Sequence, residues 1–306
     1  TNLYKFHLYL EKKFLKKFSS YNKLWRWSYD NPENFWETIV EYFNIYLEKK
    51  KSFKAYNKKN YFWNSSFFHN CNLNYYDLIY KNNSSDTAIE FIGENKYKEI
   101  ITYGDLNKRV NALSNFFQGL GIKKGDVVVG YLPNIPDTII SFLSAAKIGA
   151  VWSSCSADFG TQAVIDRFSQ LKPKLLIIAD HYFYNGKRFD YSKNLRLLKQ
   201  SLNNPRILKT SYPSNKSTSQ FKKIITQKKY KKINQHVLLD FNHPLYVLFS
   251  SGTTGLPKCI THGHGGSLLQ HLKELALHTN VKSKDKMLFL TTCGWMMWNW
   301  TVSNLL

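Results

Sequence analysis

The chain has 306 residues, 43% of them hydrophobic, and 43 Lys+Arg against 21 Asp+Glu give a formal net charge of +22. That length supplies core for one large domain or two modest ones. No stretch reaches the roughly 18 uncharged apolar residues of a membrane span, since the best candidate, Thr138 to Trp152, is too short and holds Lys147. The charge invites a nucleic-acid or anionic-membrane partner. The lysines, however, accompany many Asn, Tyr, Phe and Ile and are scattered as KK pairs without an arginine-rich stripe, so they read as a solvated surface with no nucleic acid and no membrane partner. Cys71, Cys155, Cys259 and Cys293 lie far apart with no C-x-x-C pair. That argues against a zinc knuckle or disulfide framework and suits a reducing cytoplasm. The chain begins with Thr1 and stops at Leu306 inside an apolar, helix-like run, so both ends read as cut. No signal peptide is visible, although a missing start would hide one.

Residues 1–60 read as helices rich in Lys and aromatics. Asn31 or Asp30 is placed to cap a helix starting at Pro32, with Phe35, Trp36, Ile39, Val40 and Phe43 on one face. From Thr87 the pattern changes: AIEFIGENKYKEIITY alternates like a β-hairpin turning at Gly93-Glu94-Asn95. Thr102 and Asp105 open a helix through Leu120 in capping-box style. VVVGYL (127–132) is a buried strand, IPDTIISFLSAAKIG a helix with Pro136 in its first turn, and VWSSCS a further strand. A helix from Thr161 to Leu171 and the strand LLIIA (175–179) follow. Strands alternating with helices of this length imply an α/β fold with a largely parallel sheet covered on both faces, whose ligands bind beyond the carboxyl ends of the strands. Residues 180–240 read mostly as a polar, Lys-rich surface excursion with one helix and one short strand. Gly265 to His278 reads as helix and MLFLTT (287–292) as another strand, running into GWMMWNW.

The organising stretch is LYVLFSSGTTGLPKCITHGHGG, Leu245 to Gly266. An apolar strand leads into a hydroxyl-rich loop that ends in Pro257 and Lys258. Gly252 and Gly255 free the backbone for φ > 0 and close approach, and consecutive N–H groups of such a turn form an anion nest. Ser250, Ser251, Thr253 and Thr254 add hydroxyl donors and Lys258 a full positive charge, which together suit a polyphosphate. The Walker A loop does not fit, because Gly255 is followed by Leu-Pro-Lys and not by Gly-Lys-Ser/Thr. A Gly/Thr surface turn is the bland alternative. His262, His264 and Cys259 lack a second ligand cluster, so no metal site is expected from them. Asp158 and Asp166 read as a turn residue and a helix-surface charge near Arg167, not as an acid/base pair. By spacing alone, TTCGWMMWNW (291–300) reads as core.

The stretch SSGTTGLPK resembles, nearly residue for residue, the phosphate loop of the adenylate-forming acyl-CoA synthetase superfamily. YLPNIP (131–136), VWSSCSADFG (151–160), DRFSQLKPK (166–174), HYFYNGK (181–187) and GWMMWNW point to its acetoacetate-activating branch, and LWRWSYDNPENFWETIVEYF is similar to that branch's N-terminal helical region. The resemblance implies the large N-terminal domain of such an enzyme, with layered sheets and flanking helices, incomplete at the C-terminus. Residues 1–80 would form the N-terminal cap and 81–306 the first part of the AMP-binding domain, with the small C-terminal domain absent. It also implies the reaction: acetoacetate attacks the α-phosphate of ATP to give an acyl-adenylate and pyrophosphate, and CoA then displaces AMP. Acetoacetate, ATP, CoA and Mg²⁺ are the implied substrates and cofactors. Lys258, Thr253 and Thr254 take the catalytic role, and Ser250 to Gly255 with Lys258 hold the phosphates. Trp295, Met296, Met297, Trp298 and Asn299 form or flank the wall against the acyl chain, with the Asn299 amide available to an extra ketone oxygen. Tyr184, Asn185, Gly186 and Lys187 fall where relatives contact the CoA phosphates with two arginines; only Lys187 keeps a cation, and a solvated loop is an equal reading. The adenine- and ribose-binding segments, the magnesium-ligating Glu and the C-terminal lysine would follow Leu306, so the 306 residues alone are expected to be inactive or nearly so. An acetyl- or propionyl-CoA synthetase and a catalytically incomplete nucleotide-binding chain are the alternatives; the oligomeric state stays open.

Overall fold

The computed structural model describes residues 1–190, 194–227, 237–250 and 255–306. Three helices come first, α1 (Asn2–Phe14), α2 (Tyr21–Asp30) and α3 (Pro32–Tyr42). Thr1 and Ser20 cap α1 and α2 by accepting from the N–H groups of Tyr4 and Lys23. Pro32 begins α3 as expected, but the Asn31 side chain caps nothing ahead of it. Its amide donates backwards instead, to the Trp27 carbonyl at 3.0 Å, and so closes α2.

The all-helical reading of residues 1–60 is corrected by β1 (Glu48–Asn57), which pairs antiparallel with β2 (Ser66–Leu73). Phe53 and Ala55 turn inward while Ser52 and Lys54 stay exposed, a period of two that the lysine run obscures. Next come α4 (Tyr76–Tyr80), the hairpin β3 (Thr87–Ile92) and β4 (Lys98–Thr102), and α5 (Tyr103–Gly119), whose cap Thr102 accepts from the Asp105 N–H. The central run is β5 (Val127–Leu132), α6 (Pro136–Ile148), β6 (Val151–Ser156), α7 (Thr161–Phe168) and β7 (Leu175–Ala179).

Residues 180–240 carry more order than their composition suggests. They contain β8 (His181–Tyr184), β9 (Lys187–Asp190), α8 (Leu195–Ser201), β10 (Arg206–Thr210), α9 (Gln220–Ile225) and β11 (Leu239–Asp240). β10 joins the main sheet in parallel register with β7, Arg206 opposite Leu175, and Leu208 supplies the buried contact between two exposed cations. Then follow β12 (Pro244–Ser250), β13 (Lys258–Gly263), α10 (His264–Leu272), a π-helical turn over Lys273–His278 and α11 (Met296–Val302).

The main sheet has the order β10-β7-β5-β6-β12-β13, parallel except for the antiparallel edge strand β13. β6 and β7 are buried along their whole length, as a parallel strand covered on both faces requires. The expected strand at 287–292 does not form among the described residues. Leu288 and Leu290 are 94% and 99% exposed. An apolar run becomes a strand only when an edge pairs with it, and none of the described strands pairs with this segment.

One apolar cluster extends from Phe6 in α1 to Leu305 near the end of the chain. Polar contacts bind the two ends as well, since the Asn2 amide donates to the carbonyls of Ala276 (3.1 Å) and Val281 (2.8 Å). No described helix is long and apolar enough to cross a membrane.

Candidate functional site

β12 runs through the core beside β6 and ends at Ser250, where the chain leaves the sheet. It returns as β13 with Lys258 directly opposite Ser250. Cross-strand partners share a face of the sheet, so Ser250 and Lys258, the first and last members of the proposed phosphate loop, lie side by side. Ser251, Gly252, Thr253 and Thr254 lie outside the described residues. Gly255 takes φ +109°, a conformation that residues with a Cβ rarely adopt. The loop's exit is tied down by Gln170, whose amide donates to the Pro257 carbonyl at 2.9 Å. Lys258 is exposed and makes no ion pair among the described residues. A second cation stands nearby: Arg167 lies 4.8 Å from the Phe159 ring centroid and 5.9 Å from that of Phe249, the residue before Ser250. The sequence marked Arg167 only as a neighbour of Asp166.

Polar contacts hold the segment 291–300 on the carboxyl ends of β5 and β6. The Ser154 hydroxyl donates to the Cys293 carbonyl at 2.6 Å. The Cys293 thiol donates to the Leu132 carbonyl at 3.1 Å. The Trp298 indole N–H donates to the Asn134 amide oxygen at 2.9 Å. Burial pushes the Cys293 thiol up to about 12, so it remains a protonated donor and not a nucleophile.

α11 divides the proposed wall between two directions. Trp295 is 58% exposed and Met296 is also exposed, and Met297 is half-buried. Trp298 and Asn299 are each only 2% exposed, and Trp298 packs edge-on against Phe142 at 6.0 Å. Among the described residues Asn299 Oδ1 is buried without a partner, and a half-turn of the amide would present Nδ2 in its place. Sequence reasoning passed over Asn134 and Ser154 as individual residues, although both sit in strings that it singled out, YLPNIP and VWSSCS.

The histidines beside the loop face inward. His262 stacks on Tyr246 at 4.8 Å. His264 opens α10 with its ring in the core, where Nδ1 accepts from the Tyr75 N–H at 3.3 Å and burial pulls its pKa down to about 3. Among the described residues no group of three His, Cys, Asp or Glu side chains could hold a metal ion.

Asn185 and Gly186 turn the β8–β9 hairpin with φ of 50° and 72°. Tyr184 and Lys187 are exposed at its tip, as is Arg188, a cation that the sequence reading did not assign. The Gly186 N–H donates to the Glu94 carboxylate at 2.9 Å, so an anion at this tip would have to displace a carboxylate. The hairpin leans on Tyr212, 5.1 Å from Phe183 between ring centroids.

In the sheet, β6 lies between β5 and β12. The parallel strands place their carboxyl ends along one edge, which brings Asn134, Ser154 with the 293–299 segment, and Ser250 together.

Residues 80–305 match the family described as AMP-binding enzyme. The acetoacetyl-coenzyme A synthetase of Rhizobium meliloti (strain 1021) is 38% identical, over 96% of this chain and 46% of that protein. The acetoacetyl-CoA synthetase of Gallus gallus is 36% identical, over 94% of this chain and 45% of that protein. Among solved structures, acetoacetyl-CoA synthetase from Streptomyces lividans superposes with a TM-score of 0.89 at 31% identity, covering 99% of this chain and 48% of that one. The chain therefore spans about half the length of the curated relatives it matches.

Proposed function

This chain belongs to the AMP-binding enzyme family, and from that premise we propose that it supplies the phosphate- and acid-binding part of an acetoacetate–CoA ligase. The observation that carries the reading is the shared sheet edge. β12, which ends at Ser250, lies next to β6, whose Ser154 donates to the Cys293 carbonyl, and this neighbourhood supports a phosphate loop and an acid wall side by side.

A carboxylate cannot be attacked directly, because its leaving group would be oxide. One carboxylate oxygen therefore attacks the α-phosphorus of ATP. The bond from that phosphorus to the bridging oxygen breaks, and pyrophosphate leaves. The CoA sulfur then attacks the acyl carbon, the acyl–oxygen bond breaks, and AMP leaves with its electron pair while the thiol proton passes to solvent. In the first step the protein positions the groups and stabilises the charge that gathers on the departing pyrophosphate. Ser250, Ser251, Gly252, Thr253, Thr254 and Gly255 would hold the β- and γ-phosphates, with the Lys258 ammonium as counter-charge. Mg²⁺ supplies further charge neutralisation when it is bound with the nucleotide. The described residues contain no cluster to ligate it, and no step is assigned to it.

Trp295, Met296 and Met297 present apolar surface to the acid, and the Asn299 amide lies behind them. Lys187 and Arg188 are the cations available to CoA phosphates. The free cysteines fit a reducing cytoplasm.

An acetyl- or propionyl-CoA synthetase keeps the same chemistry with a different wall. AMP release from the gene product, with ATP, Mg²⁺, CoA and a panel of acetoacetate, acetate, propionate, butyrate and 3-hydroxybutyrate, separates the two. Preference for acetoacetate is expected. Preference for acetate or propionate keeps the adenylation and overturns the reading of 295–299. No release with any acid overturns both.

A further inference from the structure

We propose that Tyr75, His271 and Ser303 are positioning residues that fix the acid wall of α11 against α10, the helix that follows the phosphate loop. The proposal rests on the reading of the site given above. Ser303 Oγ lies 2.7 Å from Tyr75 Oη, 2.7 Å from His271 Nδ1 and 3.0 Å from the Asn299 carbonyl. The serine has a single proton, and the carbonyl can only accept, so Ser303 donates to Asn299 and accepts from Tyr75 and from His271 Nδ1–H. The three contacts of the serine hydroxyl thereby run in one consistent set of directions. All three side chains are buried.

The rest of Tyr75 completes the brace. Its backbone N–H donates to His264 Nδ1 at 3.3 Å. His264 and His271 are seven residues apart on α10, two turns along one face. Tyr75 thus reaches His264 at the start of α10 through its backbone and His271 at its end through the shared serine. The start of α10 is itself fixed on Phe241, because the Gly265 N–H donates to the Phe241 carbonyl at 2.9 Å. Burial lowers the His271 pKa to about 4, which keeps the ring neutral with one donor and one acceptor at pH 7. Directly after Leu272 the backbone widens into the π turn, a feature that recurs at functional sites. A continuous set of contacts therefore runs from Lys258 through β13, α10, His271 and Ser303 to the backbone of Asn299.

The test is kinetic and uses the gene product with Ser303→Ala, Tyr75→Phe, His271→Leu and His271→Asn. The last keeps a donor near the Nδ1 position. The expected result is a KM for acetoacetate raised about tenfold in Ser303→Ala and His271→Leu, with the acetoacetate-to-acetate ratio of kcat/KM falling by a similar factor. Tyr75→Phe, which preserves ring volume, gives a smaller shift of the same kind. His271→Asn restores most of the wild-type ratio, and the KM for ATP stays within about twofold throughout. A loss shared equally by acetate and acetoacetate indicates general loosening of the fold and overturns the proposal, as do variants with wild-type ratios. A wild type that releases no AMP with any acid overturns the parent reading and the proposal together, and that result is distinct from an active wild type with unmoved variants.

Discussion

Lys258 is the residue whose charge the account depends on most. It stands opposite Ser250, is exposed, and is free of ion pairs among the described residues. Lys258→Ala is expected to lower kcat/KM for ATP about a hundredfold, with the KM for the acid unchanged within about threefold. Equal losses for both substrates, measured by steady-state AMP release, would remove Lys258 from the phosphate site. The buried histidines give the residue scale a pH dependence. Their unfolded forms take up protons below about pH 6.5, whereas His271 in the fold resists until about 4 and His264 until about 3. The unfolded chain thus binds more protons in that window, and stability is lost as pH falls from 6.5 toward 4. Asp137 acts in the opposite sense. The residue keeps some exposed surface, but its carboxyl is enclosed beside Thr210, and burial raises it to about 6, so its proton favours the fold between pH 3.8 and 6. Two histidines against one carboxyl leave a net slope of about 1.4 kcal/mol per pH unit. Urea midpoints should rise between pH 4.5 and 6, and flat midpoints would contradict the neutral histidine network.

Elements were legible wherever one period dominated the local pattern. VVVGYL, VWSSCS and LLIIA are uninterrupted apolar or small-residue runs and became the buried strands β5, β6 and β7. β1 and β10 were hidden by lysines on the solvent face, since charge masks a period of two without abolishing it. The segment 287–292 misled in the other direction, because β propensity states what a segment fits and not whether a partner strand is present. The site was legible as strings and much less so as directions. Trp295 to Asn299 were read as forming or flanking one wall; a helix begins at Met296, and successive side chains on a helix rotate by about 100°. Trp298 and Asn299 therefore turn into the core, while Trp295 and Met296 stay exposed. Gly265 tests how firmly α10 is placed. A Cβ there would lie 2.3 Å from the Phe241 ring, which stacks on Phe68 at 4.7 Å and has little room to yield. Gly265→Ala should cost about 1–3 kcal/mol and lower Tm by several degrees. An unchanged Tm in a thermal melt would show that α10 can shift without cost.

At the scale of the molecule, one core joins the N-terminal helices to β12 and α10, and the parallel strands of the main sheet end on one side. The net charge of +22 is spread over the surface and contributes to solubility more than to the site. The exposed apolar run at Leu288 and Leu290 and the exposed Trp295 lie in the last part of a chain that covers about half of its relatives. The central claim is that the acid attacks the α-phosphorus of ATP, and its most direct test follows a carboxylate oxygen. Acetoacetate labelled with ¹⁸O in its carboxylate is turned over by the gene product with ATP, Mg²⁺ and CoA, and the nucleotide and phosphate products are weighed by mass spectrometry. The account predicts one ¹⁸O in AMP and none in pyrophosphate. Label in inorganic phosphate or pyrophosphate with unlabelled AMP would place the attack at a different phosphorus and contradict it.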